Sequence, residues 1–183
     1  MPPKTDERLQ ERILKAAQRL WRARGERGLT LRAVAREAGT TTPTVYKRFR
    51  NKEALRLALA FRFKDELNEY SLAAASPEEA YHRYLRYAEE HPQEYKLLWQ
   101  TWVEVFHPER PRPGRAWFLR QLANRLGGEP EEYARLFYAL LLMAHGAATL
   151  LAIPGDEIAH TEARENFRWI CDAMMKNGKL FRE

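Results

Sequence analysis

The residues from Thr30 to Lys52, TLRAVAREAGTTTPTVYKRFRNK, combine hydroxyl, aromatic and cationic side chains at helical spacing around a glycine. Their chemistry is hydrogen bonding, stacking and charge neutralisation, the repertoire used on phosphates and base edges. Thr30 is a good N-cap, and Leu31, Val34, Ala35 and Ala38 follow on one stripe of a short helix. Gly39 closes that helix because it accepts the left-handed backbone a tight turn needs. A second helix starts within the run Thr40, Thr41 and Thr42, with Thr41 or Thr42 as its cap and Pro43 in its first turn. Val45 and Phe49 face inward there, which leaves Thr42, Thr44, Tyr46, Lys47 and Arg48 on the outer surface. The stretch reads as a helix-turn-helix, with its motif over 30–49.

Other chemistry finds little support. His82, His91, His107, His145 and His160 lack H-E-x-x-H or any comparable ligand spacing, no glycine-rich phosphate loop occurs, and Cys171 has no evident base. Glu89-Glu90 and Glu131-Glu132 read as solvated helix ends. The expectation is therefore no enzyme, no metal site and no cofactor. A single cysteine in 183 residues excludes a disulfide framework and suits a reducing cytoplasm, and the charged start MPPKTDERLQER does not read as an export signal.

Charge separates a head from a body. Residues 1–70 hold 17 Lys and Arg against 9 Asp and Glu, whereas residues 71–183 hold 14 against 16. The basic excess surrounds the helix-turn-helix, as expected of a polyanion-binding head on a nearly neutral body.

Helices account for the rest of the chain. Leu9, Ile13, Ala16, Ala17, Leu20 and Trp21 mark a first helix that ends at Gly25 and Gly28. Asn51 caps a long helix that continues toward Pro77, joining head to body. Ser76-Pro77-Glu78-Glu79 starts another. The helix after His91-Pro92 is aromatic along one side, with Tyr95, Trp99, Trp102 and Phe106, and HPERPRPG, His107 to Gly114, is a loop. A helix around Trp117 to Leu126 and two long ones, roughly Pro130 to Ala152 and Asp156 to Met175, complete an all-α fold of about nine helices. The domains expected are 1–50, the DNA-binding head, and 51–183, the regulatory and dimerisation body. Leu136 to Ile153 reaches the lower length limit of a membrane span, but Tyr138, His145, Gly146 and Thr149 interrupt it, and a buried or partner-facing helix is expected instead.

AlaAla at 16 and 17, Gly28, Thr30, Val34-Ala35, Ala38-Gly39, Thr44-Val45-Tyr46, Phe49 and Lys52 together resemble the pattern of the TetR (tetracycline-repressor) family of bacterial transcriptional regulators, over about residues 7–67. Thr40, where that pattern has a small apolar residue, is a departure. The resemblance implies that Thr30 meets a phosphate and that Thr41, Thr42 and Thr44 meet phosphates or bases. It implies that Tyr46 packs on the sugar-phosphate edge, that Lys47 and Arg48 enter the groove or reach its walls, and that Lys52 grips a phosphate, with Arg32 also among the DNA-binding residues. It also implies a homodimer through the last two helices, with Leu136, Leu140, Met143, Ala147, Leu150, Phe167, Ile170 and Met174 at the interface.

The aromatic body adds the expectation of a small-molecule cavity lined by Tyr84, Trp99, Trp102, Trp117, Phe137 and His145, suited to an apolar or cationic effector. The function expected is a cytoplasmic, dimeric, ligand-released repressor on a palindromic DNA operator, with no membrane partner. Two alternatives stand beside it: a regulator or architectural protein whose aromatic residues are plain core, and an activator.

Overall fold

In a computed structural model, residues 4–107, 112–155 and 157–182 are described, and they contain ten α-helices and no strand. These are α1 Lys4–Gly28, α2 Leu31–Glu37, α3 Thr42–Arg48, α4 Lys52–Leu72, α5 Pro77–Glu90, α6 Pro92–Gln100, α7 Trp102–Val105, α8 Pro113–Leu126, α9 Ala134–Leu151 and α10 Glu157–Lys176. Short 3-10 turns at Pro130–Tyr133 and Gly178–Phe181 flank the last two.

Local sequence signals account for most boundaries. The Thr30 side chain accepts from Ala33 N at 3.1 Å, Asn51 Oδ1 from Ala54 N at 2.8 Å, and Ser76 Oγ from Glu79 N at 3.2 Å, each at a helix start. α1 kinks where its end was expected, at Gly25, whose φ of 56° lies outside the helical region, and then runs on to Gly28. The tenth helix arises from one bend. Buried Thr101 lies between α6 and α7, where its hydroxyl donates to the Leu97 carbonyl at 2.8 Å and shares that acceptor with its own backbone N–H at 3.1 Å. The proline-rich loop is shorter than expected, because Pro113 opens α8 and Gly114 lies inside it; residues 108–111 of that loop fall outside the described residues.

The chain forms two compact units, Met1–Lys64 with Lys96–Val105, and Asp65–Tyr95 with Phe106–Glu183. The division falls within α4 and within α6, each of which contributes to both units, whereas the sequence boundary was placed at 50/51. The first unit packs Ile13, Ala16, Ala17 and Trp21 of α1 with Val34, Ala35, Val45, Leu55, Leu59 and Phe63. Arg62 of α4 ties it further, donating to Gln18 at 2.8 Å and to both Glu11 oxygens at 2.8 and 2.9 Å.

The second unit is built around α9, packed by α5, α8 and α10. Tyr81, Leu85, Phe118, Leu119, Leu122, Tyr133, Leu136, Phe137, Leu140, Ala144, Phe167 and Met175 form one core. Pro130–Leu151 is long and apolar enough to cross a membrane by length and composition, and its inner face is the centre of this core.

That placement corrects part of the expected dimer interface. Leu136 and Leu140 are 0% exposed and Phe167 is 4% exposed, so they hold the body together and offer a partner no surface. Met143, Ala147 and Met174 pack against the same core from its edge, and Ile170 is half-buried. The outward face of α9 is carried by Leu142, 71% exposed, and by Leu150; on α10 it is carried by Ile158 and by Trp169, 71% exposed.

Candidate nucleic-acid interface

The head presents α3 on a frame of local hydrogen bonds. Thr41, rather than Thr42, caps it: its Oγ1 accepts from Thr44 N at 3.3 Å and shares a hydrogen bond with Thr44 Oγ1 at 2.8 Å. Gly39 has a φ of 60°, the left-handed conformation that reverses the chain between α2 and α3, and Thr40 N closes the turn onto Ala35 O at 2.9 Å. Val45 and Phe49 lock α3 into the head, at 0% and 4% exposure. With the inner side so fixed, Tyr46 stands 52% exposed, Lys47 is exposed, and Thr42, Thr44 and Arg48 are half-buried. Thr30 and Arg32 are exposed at the start of α2. The arrangement offers hydroxyls and cations from one short rigid helix, which is what groove reading requires.

Lys52 occupies the first position of α4 and is held at the end of α1. Its ammonium donates to the Glu26 backbone carbonyl at 3.4 Å and lies 3.9 Å from a Glu26 carboxylate oxygen. Arg27 and Arg50, each one or two residues from this junction, are exposed. Neither arginine was singled out in the sequence. The signal available was their place beside two helix ends, and it becomes informative only once the Glu26–Lys52 contact brings those ends together.

Of the six residues expected to line a body cavity, two lie in the first unit and four in the second. Trp99 and Trp102 pack on each other at 5.8 Å within the first unit. In the second, Trp117 stands edge-on to Phe118 at 5.8 Å, Phe137 packs on the same ring at 5.7 Å, and Tyr84 and His145 meet directly. Tyr95, read from sequence only as part of the aromatic side, completes that meeting. Its hydroxyl lies 2.5 Å from His145 Nδ1 and 3.1 Å from the Tyr84 hydroxyl, and Tyr84 lies 3.3 Å from the same nitrogen. The missed signal was chemical: a buried tyrosine needs a partner for its hydroxyl.

Burial sets the protonation of this cluster. It pushes the Tyr84 phenol up to about 12 and the Tyr95 phenol higher still, so both stay protonated. Burial also lowers the His145 imidazole, which favours its neutral form. A group depressed in the folded state supports folding above its unfolded pKa of about 6.5 and withdraws that support as pH falls. The melting temperature should therefore drop between pH 7.5 and 5.5. His145→Gln should flatten part of that drop in a thermal melt series. His82, lowered first by burial and then by Arg168, retains the rest.

Comparison with known proteins agrees with the head and the overall architecture. Residues 13–59 match the family model described as bacterial regulatory proteins, tetR family. Among solved structures, the chain is similar to a TetR from Acinetobacter baumannii AYE, with a TM-score of 0.68 and 20% identity over 93% of this chain and 96% of that one. A transcriptional regulator described as a TetR from Streptomyces coelicolor gives 0.67 and 21% over 94% and 98%, and a TetR-like regulator from Rhodococcus sp. RHA1 gives 0.58 and 19% over 94% and 98%. No curated protein sequence matches. The head over residues 13–59 is thus similar to that of the bacterial regulatory proteins of the tetR family, and the chain shares its all-helical fold with these solved regulators.

Proposed function

We propose that the chain acts in the cytoplasm as a homodimeric repressor that binds a palindromic operator and is released by a small molecule. The observation that carries the reading is the outer face of α3, where Tyr46 and Lys47 stand free of the core while Val45 and Phe49 anchor the helix beneath them. One such helix reads a half-site. A pair of heads related by a two-fold axis reads two half-sites one helical turn apart, roughly 34 Å. The exposed apolar face of α9 and α10, with Leu142, Leu150, Ile158 and Trp169, supports pairing by a second copy.

Thr30, Arg32, Thr41, Thr42, Thr44, Tyr46, Lys47, Arg48 and Lys52 are the residues proposed to meet DNA. An effector bound in the body acts by favouring a form with the heads out of register. Preference of about 100-fold for that form weakens operator binding by about 2.7 kcal/mol. A second reading, a regulator without effector, is favoured by one observation: the hydroxyls of Tyr84 and Tyr95 and Nδ1 of His145 already hydrogen-bond to one another, as core residues do.

Selection of bound duplexes from a random pool, followed by footprinting, tests the proposal. The expected result is an inverted repeat protected in two patches one helical turn apart. A single unrepeated patch, or no enrichment, would sink it.

A further inference from the structure

Within the span 24–53 the acids are Glu26, Glu37 and Glu53. Glu37 is taken by Arg19 at 2.8 Å, and Glu53 is taken by Arg56 through several hydrogen bonds from 2.7 to 3.1 Å, although its charge also reaches Lys52. Glu26 differs in facing Lys52 at the end of α1, beside the exposed Arg27, Arg50 and Thr30, although its charge also reaches Arg56, which Glu53 already holds. Both partners are about half exposed, at 59% and 45% of their side chains, and a pair of that kind contributes little to stability. Its position gives it another consequence.

We infer that Glu26 is a restraining counter-charge on the DNA-binding face, one that phosphate must displace before Lys52 can be counted in binding. The inference rests on the reading that the head binds DNA. The backbone carbonyl of Glu26 holds the ammonium in place whatever the side chain is, so geometry and charge are set separately at one residue. When a phosphate takes Lys52, the Glu26 carboxylate is left unpaired within reach of the polyanion, and the two charges largely cancel in the electrostatic part of binding. Sequence-independent affinity depends on the phosphates neutralised, with a slope of log K against log salt of about −0.9 for each. Glu26 therefore holds the count of effective cations on each head about one below the number present, and with it the affinity for arbitrary DNA.

The test is a salt titration of binding to an arbitrary 40-base-pair duplex, using the full chain and the variants Glu26→Gln, Lys52→Gln and the double substitution. Glu26→Gln is expected to bind more tightly at low salt and to steepen the slope by about 0.9 per head. Between 50 and 200 mM salt that is about a threefold greater loss of affinity per head than in the parent chain. The double variant is expected to behave as Lys52→Gln alone. An unchanged slope in Glu26→Gln overturns the inference, and so does a gain that survives in the Lys52→Gln background, since Glu26 would then act by general repulsion. If the parent chain shows no salt-dependent duplex binding at all, the DNA-binding reading fails instead. Circular dichroism melts accompany each variant, and the exposure of both side chains predicts unchanged melting.

Discussion

Replacing Tyr46 and Lys47 together by alanine is expected to weaken binding to a selected operator by at least a hundredfold, while the thermal midpoint stays within a degree or two of the parent. The two effects separate because α3 uses one face for folding and the opposite face for contact with DNA. Its inner face, Val45 and Phe49, stabilises the head; its outer face, with Tyr46 half exposed and Lys47 exposed, contributes almost nothing to folding. A well-made base contact is worth about 1–3 kcal/mol of discrimination, and each lost phosphate contact also reduces the salt slope. Two heads double the loss in a dimer. The measurement is a gel-shift titration beside a circular dichroism melt. Intact operator binding by the double variant would place the reading surface elsewhere. Val45→Ala provides the opposite pattern, a lower melting temperature that takes DNA binding down only as the head unfolds.

A comparable loss should follow from charge placed on the second unit. Leu142→Glu combined with Trp169→Glu is expected to yield a folded monomer in analytical ultracentrifugation and to cost about a hundredfold or more in operator affinity. Both side chains are 71% exposed in the protomer, so glutamate there leaves the body core intact. Across a two-fold interface, the same carboxylates meet their own copies in a desolvated setting, and burying unpaired charge costs several kcal/mol. Once the heads separate, the second half-site is no longer bound at high effective concentration, a gain of roughly 10²–10⁴ in linked binding. Leu136→Ala is the informative contrast. It should lower stability by about 2–5 kcal/mol through the cavity it leaves, with no specific effect on association. If the double glutamate variant remains a dimer, the pairing face lies elsewhere.

The head was legible because its determinants act over three or four residues. Thr30 caps through Ala33, Thr41 through Thr44 and Asn51 through Ala54, and Gly39 reverses the chain by its own backbone freedom. Each rule needs only near neighbours in the chain, so the order of the residues carries it. Val45 and Phe49 could be assigned inward for the same reason, since a short helix with two strongly apolar positions has one side to bury. What the head kept hidden was the approach of two helix ends distant in sequence. Glu26 and Lys52 meet only because α1 and α4 pack together, and no spacing rule connects them.

The body was read less well, and α9 shows why. ARLFYALLLMAHGAATLL is apolar around much of its circumference, so periodicity alone assigns no inner side. Leu136 and Leu140 look no different from Leu142 and Leu150 as letters. The packing of α5, α8 and α10 decides between them, burying the first two and leaving the second two in solvent. The same holds for Tyr95, which became a partner of Tyr84 and His145 only when three helices converged. The sequence by itself determined the all-helical class, the helix-turn-helix and the basic head that carries it, because caps, turns and net charge are local or additive. Only the tertiary structure decided which apolar residues form the core and which are left exposed, because burial depends on what packs against a residue and not on what precedes it.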